Sequence, residues 1–184
     1  MEFKDILSAG LAQQEAVLEW RNHINVRKNM YTDAIISKEN HETWINNLRV
    51  SEVSKVYIAY KSHKAIGVIS ISNISLLHKS AEWAFYLNPE YIGSKGLGIL
   101  MEYHFLNYIF SRFDVEKLNC EVLEINPSVI KLHKKFGFLE EGIRRSNVIK
   151  NNMRVDVCIL GILKEEWLQT KGKFLKIIER LERL

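Results

Sequence analysis

Tyr91-Ile92-Gly93-Ser94-Lys95-Gly96-Leu97-Gly98 carries the chain from a strand-like run into a long helical run. Before it, Ser80 to Asn88 reads as a half-buried strand rich in aromatics. Glu82, Ala84 and Tyr86 share one face, and Trp83, Phe85 and Leu87 the other. Pro89 ends it. After it, Leu97 to Phe110 reads as a helix opened by two glycines, Gly96 and Gly98, so that several first-turn amides are left uncovered by side chains. Such a turn suits a pyrophosphate. By itself Gly-x-Gly is equally a tight strand-to-helix turn. A Walker loop would need Gly-Lys-Ser/Thr at its end, and a dinucleotide fingerprint would need a third glycine where Met101 stands.

A second unit lies about thirty residues on. Leu118 to Ile125 reads as a strand in which Cys120, Val122, Glu124 and Asn126 share a face. Asn126 is placed as an N-cap, Pro127 as the first helical residue and Gly137 as the stop, which predicts a helix of about ten residues. Within it Val129, Leu132, His133 and Phe136 fall on one side, so His133 points back toward the strands. As structure alone, that histidine is a packing residue. At the end of a strand bearing Glu124, it faces a cleft.

Taken together these residues resemble the cofactor cradle of the GNAT family of N-acetyltransferases. That family shows Arg/Gln-x-x-Gly-x-Gly/Ala at the first turn, then Asn followed by a helix ending in Tyr-x-x-x-Gly-Phe. Gly96, Gly98, Asn126 and Gly137-Phe138 match, while Gly93 replaces the usual Arg or Gln and His133 replaces the tyrosine assigned as the acid. The resemblance implies that acetyl-CoA is the cosubstrate, held by Leu87, Lys95, Gly96, Leu97, Gly98, Ile99, Asn126 and Lys135. It covers nearly the whole chain.

The N-terminal third carries a narrower resemblance. Leu18-Glu19-Trp20-Arg21-Asn22-His23, Met30-Tyr31, Ile36-Ser37 and His41-Glu42-Thr43-Trp44-Ile45 look like the PseH-type branch of that family. Those enzymes acetylate a UDP-linked 4-amino-4,6-dideoxy sugar on the route to pseudaminic acid, a flagellin glycan. The branch that acetylates ribosomal-protein or peptide N-termini also carries an early Trp-Arg. A polyamine acetyltransferase is a further alternative, although such a site wants more acidic residues than Asp33, Glu39 and Glu42. Outside enzymes, the departures at Gly93 and His133 allow a non-catalytic acyl-CoA-binding module.

Composition agrees with one enzyme domain over residues 1–184. With 184 residues, 47% hydrophobic and 10% aromatic, the chain can bury one sizeable core. No repeat, linker or low-complexity run divides it. No apolar stretch reaches the length of a membrane span, and Met1 to Gly10 lacks a signal-peptide pattern, so a cytoplasmic protein with no membrane partner is expected. The net charge of +4 is dispersed, and the aromatics lie in apolar strand patterns, so no nucleic-acid partner is expected. Lys131, Lys134 and Lys135 form the densest basic patch near the helix of His133, a phosphate contact or a solvated face. Cys120 and Cys158 read as buried free thiols, and the histidines lack ligand spacing, so no metal is implied. A homodimer is compatible with the sequence, which does not fix the oligomeric state.

The remaining elements follow from pattern. Ala12 to Trp20 and Lys38 to Leu48 read as helices, the second capped by Ser37, and Lys55 to Lys61 pairs with Ala65 to Ile74 around Ser62-His63-Lys64. Gly142 to Ile149 and Arg154 to Leu163 form another hairpin turning at Lys150-Asn151-Asn152. Lys164 to Leu184 is helical, broken near Gly172. The fold class is α/β (α+β): a mixed, mostly antiparallel sheet with helices on both faces.

Acetyl transfer from a thioester to an amine needs a neutral amine, a donor for the developing oxyanion and a proton for the thiolate. Glu124 is the first choice for the amine's proton and Glu82 the second, against the plain reading of a strand-end carboxylate paired with lysine. His133 or Tyr86 supplies the thiolate's proton. The pantetheine arm runs along Tyr86 to Asn88, with an N–H there facing the thioester oxygen. By resemblance the N-terminal helices cover the acceptor, so Arg21 and His41 meet the nucleotide, with Met30 and Ser70 in the same pocket. As plain structure, Arg21 pairs with Glu19 or another acid on the surface. No cysteine is placed for an acyl-enzyme, so direct attack in a ternary complex is expected.

Overall fold

The computed structural model describes residues 1–183. In chain order the elements are β1 (Glu2–Asp5), α1 (Leu11–Asn22), α2 (Ile24–Arg27), α3 (Lys38–Val50), β2 (Lys55–Lys61), β3 (Lys64–Ser75), β4 (Ser80–Leu87), α4 (Leu97–Arg112), β5 (Lys117–Leu123), α5 (Pro127–Phe136), β6 (Leu139–Lys150), β7 (Met153–Leu163), α6 (Lys164–Thr170) and α7 (Leu175–Glu182). The expected elements are present within a few residues of their expected bounds. A 3-10 turn at Lys171–Phe174 makes the break expected near Gly172, and Leu184 lies outside the described residues. Two elements carry too little pattern to be read in sequence. β1 has only four residues, and α2 forms a single turn after His23.

The strands form one seven-stranded sheet in the order β1-β2-β3-β4-β5-β7-β6. Neighbours run antiparallel except β4 and β5, which α4 connects by a crossover and which therefore lie parallel. Both hairpin turns expected from sequence have two residues at positive φ, Ser62 and His63 at 48° and 65° and Asn151 and Asn152 at 49° and 62°. That backbone twist matches the strands on either side.

Strand alternation divides the core between two faces. Val56, Ile58 and Val68 turn toward α1 and α3, where Val17, Ile45 and Leu48 close over them. Tyr57, Ala59, Ile69 and Ile71 turn the other way, against Met101, Phe105 and Ile109 of α4 and Trp167 and Phe174 beyond β7. Each fully buried Ile, Met or Phe among them contributes roughly 1.5–3 kcal/mol of transfer free energy. The helices thus cover both sides of the sheet, as the residue patterns predict.

The site follows from one break in this sheet. β4 and β5 pair only at Ser80 with Lys117, Ala81 with Leu118 and Glu82 with Asn119. Past Glu82 they part, and β4 keeps a partner on the β3 side alone.

Candidate active site

A cavity of about 300 Å³ occupies the gap between the parted strands, lined by Trp83 to Leu87, Cys120 to Val122, Asn126 and His133. Asn88 donates its N–H to the Ile66 carbonyl of β3 at 2.9 Å. On an alternating ladder the amide of Leu87 therefore turns away from β3, into the gap. This narrows the expected Tyr86 to Asn88 edge to one amide. Asn88 itself is tethered, its Nδ2 donating to the Ala65 carbonyl at 3.1 Å.

At the near end of the gap, Gly96 caps α4 with φ 90°, in the left-handed region. The backbone therefore favours glycine, and a Cβ there would also make Leu181 of α7 shift. The Leu100 N–H closes onto the Gly96 carbonyl at 2.9 Å, and no side chain caps the helix. The amides of Leu97, Gly98 and Ile99 thus lack helical partners, an arrangement that fits the diphosphate of coenzyme A. Lys95 is exposed beside them. Lys135 is exposed on the last turn of α5 and lines neither the gap nor the larger cavity on the other side of β4.

On the α1–α3 side of β4 lies a larger cavity of about 590 Å³. Arg21, Met30, His41, Ser70 and Tyr86 all line it, so the structure gathers in one space the acceptor-pocket residues read from sequence. Met30, Ala84, Phe85 and Tyr86 line both cavities, which meet there. Arg21 does not pair with Glu19. Its Nη2 donates to the Thr32 carbonyl at 3.1 Å, and its Nη1 is buried without a partner. Burial lowers the pKa of this guanidinium, with Tyr86 acting in the opposite sense. Burial likewise pushes the Tyr86 phenol up, opposed by Arg21, so it stays protonated. His41 donates its Nε2–H to the Gln14 carbonyl at 3.0 Å and packs against Trp44, its ionisation lowered chiefly by burial.

His133 projects from α5 to the floor of the gap, 3% exposed, as its helical phase predicts. Its Nδ1 lies 2.9 Å from Oε1 of Glu102, a carboxyl with no exposed surface. Burial raises the Glu102 pKa, and the histidine opposes that shift. Glu102 is absent from the residues singled out in sequence. Its signal was a lone carboxylate between Met101 and Tyr103, in a helical run from Leu97 to Phe110 that holds no other acidic residue, one turn after the Gly-x-Gly.

Glu124 is a correction. β5 ends at Leu123, so Glu124 sits exposed in the following turn, where its Oε1 accepts the Asp156 N–H at 3.1 Å. It lines neither cavity. The end of the strand explains why. Cys120, Glu121 and Val122 all line the gap, but β5 stops before Glu124, and the carboxylate among the lining residues is Glu121. Glu121 accepts the Tyr31 hydroxyl through Oε2 and pairs with Arg144 Nη1 at 2.5 Å. The Tyr31 phenol is pushed up to about 12, first by burial and then by Glu121. Glu82 shares the face of Ala84 and Tyr86 but is exposed one pleat beyond both cavities. Asn126 begins α5 without a side-chain cap; its Oδ1 accepts the Ser128 hydroxyl at 3.0 Å.

The thiols are buried, Cys120 and Cys158 both held protonated chiefly by desolvation. Among the described residues, no three His, Cys, Asp or Glu side chains gather as metal ligands. No described helix is long and apolar enough to cross a membrane.

Residues 9–159 match the model of the acetyltransferase (GNAT) domain. The acetyltransferase PseH of Campylobacter jejuni is 26% identical over 75% of this chain and 84% of its own. The spermidine N(1)-acetyltransferase of Vibrio cholerae is 30% identical over 56% of this chain and 59% of its own. The structure of a Vibrio cholerae spermidine N-acetyltransferase in complex with CoA and spermine superposes with a TM-score of 0.82, covering 91% of this chain and 97% of that one at 21% identity.

Proposed function

This chain belongs to the acetyltransferase (GNAT) family and is an N-acetyltransferase, and from that premise we propose that it transfers acetyl from acetyl-CoA to the 4-amino group of a UDP-linked amino-dideoxy sugar, a step toward pseudaminic acid for flagellin glycosylation. The observation that carries the choice of acceptor is the lining of the larger cavity. It holds one guanidinium with an unpartnered Nη1 and no carboxylate. A polyamine brings several positive charges. Each like-charge approach to Arg21 at about 4 Å costs on the order of 4 kcal/mol at a surface-like dielectric. A diphosphate instead gives Arg21 the partner it lacks. The walls of Val17, Trp44, Val56 and Val68 suit a deoxy-sugar methyl and the face of a base.

In this reading the first-turn amides of α4 hold the diphosphate of the coenzyme, and the open edge of β4 lines up its pantetheine arm. The Leu87 N–H stabilises the oxyanion that develops on the thioester carbonyl. The sugar amine enters where Ala84 to Tyr86 separate the cavities and attacks the carbonyl carbon. Its proton leaves toward Glu121, the C–S bond breaks, and His133 protonates the departing sulfur. Holding both partners in contact contributes on the order of 7–11 kcal/mol to lowering the barrier. Both cysteines are buried and protonated, which supports direct attack over an acyl-enzyme.

UDP-4-amino sugars, spermidine and N-terminal peptides offered in parallel with acetyl-CoA test the proposal. Turnover is expected with the nucleotide sugar. Turnover of spermidine or peptide in its place would reject the acceptor, and binding of coenzyme A with no turnover of any amine would reject catalysis.

A further inference from the structure

Building on that reading, we propose that Glu102 is a positioning residue, which holds the imidazole of His133 with Nδ1–H on its carboxylate and Nε2 presented to the gap between β4 and β5.

The pair is built where packing alone would not place it. Glu102 lies on α4 between Met101 and Phe105, both fully buried, and has no exposed surface itself. A carboxylate in such surroundings is costly unless paired, and an apolar side chain of similar volume would serve the core as well or better. Its one side-chain partner is His133 at 2.9 Å, and its second oxygen, Oε2, has none. The imidazole is wedged among Trp83, Phe85 and Phe138, with ring centroids at 5.2, 6.0 and 5.2 Å. With the ring fixed by three aromatics and Nδ1 committed to Glu102, Nε2 is left for the cavity that His133 lines.

Few other groups compete for control of this ring. β4 presents only Trp83 and Phe85 to it. β5 contributes the Cys120 thiol, kept protonated by burial, and Glu121, already engaged by Tyr31 and Arg144 at the mouth. On α5 itself, Lys134 pairs outward with Glu140 at 2.6 Å and Lys135 is exposed. Glu102 is therefore the group that sets the orientation of His133. Its oxygen at 2.9 Å from Nδ1 fixes which ring nitrogen faces the gap. As the amine nitrogen bonds to the acyl carbon, the C–S electron pair passes to sulfur and Nε2–H gives sulfur its proton. Nδ1–H stays on Glu102 throughout, and Nε2 regains a proton from water once the thiol leaves.

The experiment is a histidine side-chain NMR titration of the full chain, wild type against Glu102→Gln and Glu102→Asp, alongside kcat against pH with whichever amine the wild type acetylates. Expected in the wild type is a proton on Nδ1 of His133. In E102Q the Nδ1–H preference should be lost, seen as a change in the His133 titration and ring nitrogen shifts, with kcat down ~10- to 100-fold while coenzyme A binding is unchanged. E102D, which keeps a carboxyl, should restore the titration. In a His133→Phe background, E102Q should lower kcat no further. An unaltered His133 titration in E102Q, or the same fall in kcat with and without His133, would overturn the assignment. A wild type that acetylates no amine would defeat the proposed function, and the titration would still decide the pair.

Discussion

Arg21, His133 and Glu102 illustrate how side chains of ordinary type acquire roles from what lies within a few ångströms. Arg21 spends Nη2 on the Thr32 carbonyl and leaves Nη1 buried without a partner beside the larger cavity. Arg21→Ala is therefore expected to raise KM for a nucleotide sugar ~10- to 100-fold, the loss of a charge-assisted hydrogen bond, with coenzyme A affinity retained, as titration calorimetry would report. His133 carries a structural debt as well as a chemical role. His133→Phe strands the Glu102 carboxyl in the core, for a loss of about 3–5 kcal/mol. Adding Glu102→Leu should recover most of it in urea unfolding without recovering activity. Glu121→Gln keeps the shape of the mouth and removes the carboxylate, so kcat should fall ~100-fold with little change in stability.

At the scale of elements, the beginning of α4 has the narrowest tolerance. Gly96 lies at φ 90° beneath Leu181, so Gly96→Ala should cost upward of about 1 kcal/mol and weaken coenzyme A binding, because the amides of Leu97 to Ile99 lose their alignment. α3 offers the contrast. Ser37 caps it by accepting the Asn40 N–H at 3.2 Å, and Ser37→Ala should cost about 1 kcal/mol of stability with coenzyme A affinity unchanged. Equal loss of affinity in both variants would mean that global stability, and not the α4 turn, controls binding.

For the whole molecule, the pH dependence of stability follows from two histidines held neutral. Burial is the leading cause of the lowered ionisation of His41 and of His104; for His104 the N-terminal amine adds to it and Glu182 opposes it. Unfolded, both take protons at about pH 6.5, so below that the unfolded chain binds more protons than the folded one. Their contribution is complete above the unfolded value and is lost as pH falls through it. Glu102 acts with opposite sign, its raised pKa letting the folded state keep a proton longer. The urea midpoint is expected to fall between about pH 7.5 and pH 5.5, and a His41→Gln/His104→Gln variant should flatten that slope. A wild-type midpoint constant across this range would refute the assignment.

The strand–turn–helix units at Gly96 and Asn126, both hairpins and the helix faces were legible because each rests on local rules: alternation along strands, the helical period of His133, glycine at positive φ. Arg21, Met30, His41 and Ser70 were grouped by resemblance, and all four line one cavity. Local rules fail where a strand ends. Sequence could not tell that β5 stops at Leu123, two residues before the expected end, and the carboxylate lining the gap is Glu121 in place of Glu124. Nor could it pair Glu102 with His133, thirty-one positions apart, because that contact exists only once α4 crosses the sheet and α5 returns over it. Periodicity along the chain thus determined the elements and their faces. The packing of distant segments decided which side chains share a desolvated space, and it is desolvation that gives those side chains their chemistry.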